Sequence, residues 1–322
     1  MKVQWIPTRE PMQRETKIPT NSLRRRPKNP LITPRDLPFA CCDIHNAGVT
    51  KVDGRYVLLL TVENLQGNYR LYRATSRDGE EFEFDSRPFL PVPPDAEYEG
   101  MGTRDPRITR LDGTYHIVYV AESRFGTRLG LAESPGMRTA RRVGYISEPD
   151  TKNGMLFPEK IGGRYARLER PKEGDSIWVS FSHDLNQWGG WRRVMAPRPG
   201  YWDPDRIGGA APPMRIDEGW LLLYYGEKHT SAGPIFRLGA AILDPDDPWR
   251  IVGRTNVPVL SPVRAYERVG DVGNLVFSCG ALLREDEPAL EVFYGASASC
   301  ICAGDITLSQ IEKACLKRKV EA

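Results

Sequence analysis

The chain has 322 residues, and its 45 basic and 42 acidic side chains leave a formal net charge of +3 at pH 7. This balance gives no reason to expect nucleic acid or an acidic membrane surface as a partner. No apolar run approaches the roughly 20 residues that span a bilayer, and the polar N-terminus lacks a signal-peptide core. We therefore expect a soluble, cytoplasmic protein.

Residues 1–37 are predicted to form an N-terminal arm, and residues 38–322 a single domain. Arg24, Arg25 and Arg26 form a basic triplet in the arm. Such a run is typical of a solvated segment, and a targeting patch is the alternative. An arm could also exchange between subunits, so a homo-oligomer stays open as an option.

A turn followed by an aromatic or apolar strand recurs five times after the arm. The units are DGRYVLLLTVEN around Tyr56, DGTYHIVYVAES around Tyr115, GGRYARLERP around Tyr165, DEGWLLLYYGEK around Trp220 and PALEVFYGAS around Leu290. Neighbouring units lie about 50 to 70 residues apart, which suits a propeller blade of four strands with a variable loop. The repeats predict an all-β chain folded as a five-bladed β-propeller.

Two further local patterns accompany the repeats. SRDGEEF and SHDLNQW are typical of turns that close outer hairpins, because an aspartate or serine side chain can hold the backbone there. Helical signals are scarce, and only the C-terminal SQIEKACLKRKVEA is predicted to be a helix. Ser309 is expected to cap it, with Glu312 at the capping-box position.

The cysteines and histidines give no metal signature. The six cysteines include no C-x-x-C pair, and the chain has four histidines, so we predict no zinc or other metal site. Cys300 and Cys302 lie two apart in an apolar stretch and share one face of a predicted strand. We interpret them as buried structural thiols.

The segments that precede the five repeats are the candidate site. A propeller binds its ligand at the axis, where the innermost strand of each blade begins. These segments are DIHNAGV, GTRDPRIT, KNGMLFPEK, RIGGAAPPM and GDVGNLVFSCGA. Each combines glycine or proline with one or two polar residues, which predicts tightly packed strands that face a polar pocket.

Motifs in these segments resemble glycoside hydrolase family 130. They are GTRDPRIT (102–109), LFPEKIGGRYARLERP (156–171), RIGGAAPP (206–213) and GDVGNLVFSCGA (270–281). The resemblance covers residues 28–310. The family contains mostly mannoside phosphorylases and some β-mannosidases, and its fold is a five-bladed β-propeller, in agreement with the repeats.

The resemblance implies that Asp105 is the general acid, since it matches the aspartate of the family's E-D-P-R-I-T motif. Arg104 stands where the family has glutamate. A general acid must be protonated near neutral pH, which requires burial and little positive charge nearby. We therefore expect Arg104 to point away from Asp105. The structural alternative is a turn with an Asp105–Arg107 ion pair.

The resemblance also implies a phosphate site and two sugar contacts. The phosphate residues are Lys152, Asn153, Arg170, Arg206 and Tyr225, and the sugar contacts are Asn46 and Asp271. Tyr225 replaces the family's histidine, and Thr61 in LLTVE replaces an arginine. Arginine forks and a lysine charge can neutralise and orient a phosphate ion, which lowers the barrier to its attack.

Three functions follow from these residues. The first is inverting phosphorolysis of β-mannosides, of the manno-oligosaccharide or mannosyl-glucose type, to α-mannose 1-phosphate. In it Asp105 is the acid, inorganic phosphate is nucleophile and co-substrate, and no cofactor is needed. The second is an inverting β-mannosidase that uses water and a carboxylate base such as Glu227, an alternative that the changes at Thr61 and Tyr225 favour. The third is a sugar-binding propeller without catalysis.

Overall fold

The computed structural model describes residues 21–316, whose strands form five antiparallel blades, with blades one and two joined by a parallel pairing of Tyr69 with Gly102. The first strand of the described residues is β1 (Arg24–Arg25). Blade one holds β2 (Asp43–Val52), β3 (Arg55–Glu63), β4 (Tyr69–Ser76) and β5 (Glu83–Pro88). Blade two holds β6 (Gly102–Leu111), β7 (Thr114–Ser123), β8 (Gly126–Ser134) and β9 (Arg141–Tyr145). Blade three holds β10 (Lys152–Leu156), β11 (Tyr165–Arg170), β12 (Ile177–Ser182) and β13 (Trp188–Met195).

The remaining elements complete the ring. Blade four holds β14 (Arg206–Gly209), β15 (Met214–Ile216), β16 (Gly219–Thr230), β17 (Gly233–Leu243) and β18 (Ile251–Arg254). Blade five holds β19 (Val276–Leu283), β20 (Ala289–Ala296) and β21 (Cys300–Thr307). Within residues 21–316, the helices are a 3-10 turn (Pro34–Asp36), α1 (Ala265–Arg268) and α2 (Leu308–Cys315). The predicted all-β, five-bladed propeller is confirmed.

The first strands of the blades, β2, β6, β10, β14 and β19, lie next to one another around the axis. Their backbones approach too closely for a side chain at some positions. A Cβ at Gly48 would lie 2.4 Å from the carbonyl oxygen of Pro106, and one at Gly280 would lie 2.5 Å from the amide nitrogen of Val49. The glycine content of these segments therefore reflects close backbone packing around the axis.

The apolar core lies between adjacent blades. Leu168 of β11, for example, shares a buried cluster with Trp220 and Leu222 of β16. Cys300 and Cys302 are both buried in β21, as predicted. Each blade therefore buries both faces of its central strands against its neighbours.

Strand β1 belongs to the segment predicted as an arm, and it forms the outer strand of blade five. Arg24 pairs with Asp305 and Arg25 with Gly304, antiparallel to β21. The described part of the arm is thus joined by backbone hydrogen bonds to the last blade in the sequence. Residues 1–20 lie outside the described residues.

Two arginines of the basic triplet are bound by buried carboxylates. Arg25 donates from Nε and Nη2 to the two Glu267 oxygens, at 2.6 and 2.9 Å, and Glu267 is fully buried. Arg26 pairs with the buried Glu291. The expectation of a solvated triplet is therefore wrong for Arg25 and Arg26, because blade five and α1 supply their counter-charges. Arg24 is exposed.

The C-terminal helix begins earlier than predicted. Its N-cap is Thr307, whose Oγ1 accepts from the Gln310 amide at 3.3 Å, while Gln310 Oε1 accepts from the Thr307 amide at 3.1 Å. The prediction of Ser309 as the cap, with Glu312 in its box, is wrong because this pair completes a capping box two residues earlier. Residues 317–322 lie outside the described residues. Within residues 21–316, no helix has the length and apolar character to cross a membrane.

The two predicted side-chain turns are confirmed. Asp78 Oδ1 accepts from the backbone amides of Glu80 and Glu81, both at 2.9 Å. These backbone hydrogen bonds, with that from Glu81 the strongest, lower the pKa of Asp78 to about 2. Asp184 accepts two backbone amides in the same way. The aspartates therefore hold the hairpin backbone, as expected for a structural turn.

The contact between Arg25 and Glu267 predicts a measurable loss of stability. Arg25→Ala should lower the free energy of unfolding by about 3 kcal/mol, because it leaves a buried carboxylate without its counter-charge. Arg24→Ala, the exposed neighbour, should change it by less than about 0.5 kcal/mol. Urea unfolding followed by circular dichroism compares the two variants. Equal midpoints for both would contradict the contribution of the ion pair.

Candidate active site

A cavity of about 250 Å³ lies at the axis of the propeller. Among its lining residues are six predicted from the sequence: Asn46, Asp105, Lys152, Asn153, Arg170 and Tyr225. Most of these come from inner strands, and Arg170 and Tyr225 come from the second strands of blades three and four. His45, Arg104, Phe236 and Phe277 also line the cavity. The cavity therefore brings together residues from all five blades.

Thr61 positions Asp105 both directly, through the Asp105 backbone amide, and indirectly, through Asn46. The Asp105 carboxylate accepts from Asn46 Nδ2 at 2.7 Å, and the Thr61 hydroxyl donates to Asn46 Oδ1 at 2.9 Å. The same hydroxyl oxygen accepts from the Asp105 amide at 3.0 Å. Asp105 also has a left-handed backbone, with φ of 54°, which is a strained conformation for this residue. Thr61, noted from the sequence only as a missing arginine, therefore positions the candidate acid.

Arg104 does not point away from Asp105, so that expectation is wrong. Its side chain lines the cavity. Nη2 donates to Glu122 Oε1 at 3.2 Å, and the guanidinium carbon lies 5.1 Å from the centre of the Tyr69 ring. The carboxylate and the aromatic face together keep this cation at the cavity wall.

Opposing effects set the pKa of Asp105. Burial raises it, but the charges of Arg104 and Arg107, the hydrogen bond from Asn46 and the charge of Lys152 together hold it below its ordinary value. Without bound ligands, the carboxyl group is therefore ionised near neutral pH.

Arg107 forms no ion pair with the Asp105 carboxylate. It is fully buried, and within residues 21–316 its hydrogen bonds go to the backbone carbonyls of Asp105 at 3.1 Å, Ala210 at 2.8 Å and Gly209 at 3.1 Å. The structural alternative of an Asp105–Arg107 ion pair in a turn is therefore wrong. Arg107 instead ties the inner strand of blade two to that of blade four.

Asn153 orders the cationic side of the cavity. Its Oδ1 accepts from Arg170 Nε at 3.1 Å and from the Tyr225 hydroxyl at 3.2 Å. Lys152 pairs in register with Arg170, and its ammonium has no carboxylate within ion-pair distance among residues 21–316. Burial, and then the charge of Arg104, lower the pKa of Lys152. The cavity thus holds several cations with few counter-charges.

Arg206 lies outside the cavity lining. Its Nε donates to Asp175 Oδ1 at 2.6 Å and its Nη1 donates to Glu227 Oε2 at 3.1 Å. Asp175 also lies 3.6 Å from Arg170 Nη1, so it bridges the two arginines. Asp175 precedes β12 in a hairpin loop, where the sequence offered no signal that it approaches the site.

Glu227 is buried in β16 and also lies outside the cavity lining. One of its oxygens binds Arg206, and the other lies 3.2 Å from His229 Nε2. It is neither a solvated loop charge nor a carboxylate that faces the cavity. This arrangement disfavours Glu227 as a catalytic base.

Asp271 is exposed and lies near His45 at the rim of the cavity. His45, Glu63 and Asp271 have potential ligand atoms within 4.8 Å of one another, and this is the one such group found among residues 21–316. His45 Nε2 lies 3.2 Å from Glu63 Oε2. The absence of a metal stays a prediction. His45 was missed although it adjoins Asn46 in DIHNAGV.

Comparisons with known proteins agree with this site and fold. The sequence model of glycoside hydrolase family 130, described as beta-1,4-mannooligosaccharide phosphorylase, matches residues 14–317. A beta-1,2-mannobiose phosphorylase of Listeria innocua is 37% identical over 242 residues, which are 74% of this chain and 66% of that protein, just under two thirds of its length. A beta-1,4-mannooligosaccharide phosphorylase of Ruminococcus albus is 30% identical over 88% of each chain.

A solved structure supports the same relationship. The beta-1,2-mannobiose phosphorylase from Listeria innocua, in complex with beta-1,2-mannobiose, superposes with a TM-score of 0.84 and 30% identity. The superposition covers 92% of this chain and 99% of that one. Since the family model matches nearly the whole sequence, the chain belongs to glycoside hydrolase family 130.

Proposed function

We propose that this protein is an inverting glycoside phosphorylase that cleaves β-mannosides with inorganic phosphate and releases α-mannose 1-phosphate. The observation that carries the proposal is one axial cavity that holds a carboxyl group, Asp105, together with Lys152 and Arg170. The names of the curated relatives, which are mannoside phosphorylases, support this substrate class.

Inversion at the mannose C1 needs an acid on one side and a nucleophile on the other. In the proposed reaction, Asp105 gives its proton to the glycosidic oxygen, directly or through a sugar hydroxyl, as the bond from C1 to that oxygen breaks. A phosphate oxygen forms the new bond to C1 from the opposite face. Phosphate is already an anion, so this reaction requires no carboxylate base.

The cations orient phosphate for this attack. Asn153 Oδ1 already accepts from Arg170 and Tyr225, which leaves its Nδ2 group to donate to a phosphate oxygen. Lys152 and Arg170 supply charge, and charge-assisted hydrogen bonds are stronger than neutral ones. Arg206 acts as a positioning residue in this proposal, because it binds Asp175, the carboxylate that also approaches Arg170.

Phosphate binding also shifts the pKa of Asp105 in the direction that a general acid needs. The unliganded cavity holds the Asp105 pKa below its ordinary value, largely because Arg104 and other cations oppose the effect of burial. A bound phosphate anion offsets those cations, so the pKa of Asp105 rises when phosphate binds. Binding of the nucleophile therefore also favours the protonated form of the acid.

Among the described residues, no carboxylate other than Asp105 lines the axial cavity to act as the base that hydrolysis requires. Glu227, the carboxylate predicted for that role, is bound by Arg206 and His229 outside the cavity lining. We therefore favour phosphorolysis over hydrolysis. Sugar contacts at Asn46 and Asp271, the cytoplasmic location, a homo-oligomer and the absence of a cofactor stay predictions.

Phosphate dependence tests the proposed reaction directly. Mannose release from β-1,2- and β-1,4-manno-oligosaccharides should require phosphate, and ³¹P NMR should show α-mannose 1-phosphate. Asp105→Asn should lower kcat by about 10³-fold, in the range of general acid catalysis. Asp112→Asn, a matched change in an exposed turn, should retain activity. Equal release with and without phosphate would overturn phosphorolysis.

Arg170 should affect phosphate more than sugar. Arg170→Met removes charge-assisted hydrogen bonds and should raise the KM for phosphate by at least about tenfold. Lys160→Met removes an exposed cation from the turn at the far end of the same hairpin and should not change that KM. Initial rates at varied phosphate and saturating sugar distinguish the two variants. An unchanged KM in Arg170→Met would remove Arg170 from the phosphate site.

Arg104 should control the ionisation of Asp105. Burial already favours the neutral acid, and Arg104 is the largest opposing charge. Arg104→Gln should therefore raise the Asp105 pKa, as should phosphate added to the parent protein. Carboxyl ¹³C NMR titration of aspartate-labelled protein, assigned with Asp105→Asn, measures the shift. Arg110→Gln, at the exposed end of the same strand, is the control, and a pKa that is the same in all samples would contradict this electrostatic account.

A further inference from the structure

A second cavity, of about 650 Å³, lies between blades two and three. It shares no lining residue with the axial cavity. The two cavities lie on opposite faces of β11, since consecutive side chains of a strand point in opposite directions. Arg167 and Glu169 line the second cavity, and Arg170 lines the axial one. We refer to the second cavity as the inter-blade cleft.

Aromatic rings form two walls of the inter-blade cleft. Tyr145, at the end of β9, stands on the blade-two side, and Trp188 and Trp191 of β13 stand on the blade-three side. The Trp191 side chain is half exposed. Large exposed aromatic rings on both sides of one cleft are typical of a surface that binds a ligand with flat apolar faces.

These rings are held in place before any ligand binds. Trp191 Nε1 donates to the buried Glu169 at 2.8 Å, and Glu169 in turn pairs with the buried Arg167 at 2.5 Å. Tyr145 packs edge-to-face on Tyr98, with ring centres 5.4 Å apart. Fixed rings lose little conformational entropy when a ligand packs on them, which favours binding.

The charges of the inter-blade cleft disfavour an anionic ligand. Arg167 is paired with Glu169, and Lys172 lies 3.6 Å from Asp150. Glu148 and Glu173 also line the cleft, and neither forms an ion pair within residues 21–316. The cleft is therefore acidic and rich in hydrogen-bond acceptors, which suits a neutral ligand with many hydroxyl donors.

We propose that the inter-blade cleft is a second binding site, for a neutral oligosaccharide whose rings pack on Trp191 and Tyr145 and whose hydroxyl groups donate to the cleft carboxylates. Its volume lies within the range of ligand pockets. The choice of a manno-oligosaccharide as the sugar rests on the proposed function. Because Glu169 and Arg170 are consecutive in β11, a sugar chain in the cleft lies directly behind the phosphate side of the axial cavity.

The indole N–H signal of Trp191 reports on the cleft directly. In ¹⁵N-labelled Asp105→Asn protein without phosphate, β-manno-oligosaccharides should shift this signal saturably, and Trp191→Phe assigns it. Tyr145→Ala should weaken the dissociation constant read from this signal by about tenfold, through loss of one ring's contact area. Tyr201→Ala, which removes an exposed tyrosine ring outside the cleft, should leave the constant unchanged.

Two results would overturn the proposal. One is a Trp191 signal that does not move up to the solubility limit of the sugar. The other is a dissociation constant that is equal in the Tyr145→Ala and Tyr201→Ala proteins. The readout needs neither phosphate nor turnover, so failure of phosphorolysis in the activity assay and failure of sugar binding in the cleft are separate outcomes.

Discussion

The attraction between one buried carboxylate and the cations that share its cavity governs this site. Burial raises the pKa of Asp105, whereas the neighbouring cations lower it and favour the ionised carboxylate. For Lys152 these two effects act together, since burial and neighbouring cations both lower its pKa. An anion that enters such a cavity raises the pKa of both groups at once. The close packing of inner strands matters because it keeps these charges within reach of one another.

A second buried carboxylate with a cationic partner lies where β1 joins blade five. Blade five keeps the buried Glu267 ionised through Arg25, which comes from the N-terminal side of the sequence. Tyr294 and backbone amides complete the shell of donors around this carboxylate. Each carboxylate thus depends on a partner distant in the sequence, Arg25 for Glu267 and Asn46 for Asp105, so each is fully hydrogen-bonded only in the finished fold.

Much of the fold and part of the site could be predicted from local patterns. The five strand repeats were enough to predict five blades. The motif segments were enough to place Asp105, Asn153 and Arg170 near the axis. Side-chain direction could not be predicted in the same way. Arg206 and Glu227 belong to segments of the right kind, yet they pair with each other across β14 and β16 beside the cavity.

Other features could not be predicted because they also depend on specific side-chain contacts. Arg104 could not be oriented because Glu122 and Tyr69, which hold it, come from neighbouring strands. Thr61 gave no signal because a hydroxyl gains its role only when register places it opposite Asn46. The helix start was missed because Ser309 and Thr307 are both reasonable caps, and Gln310 decides between them. Such choices depend on contacts between strands rather than on residue type.

Blade five has a consequence for how the molecule assembles. Its outer strand is β1, and Arg24 pairs there with Asp305 of β21. During synthesis, β1 leaves the ribosome long before β21 is made, so β1 stays unpaired while four blades form. Completion of the ring is therefore a late event in biogenesis, and a nascent chain that stalls before β21 exposes an unpaired edge to chaperones and proteases.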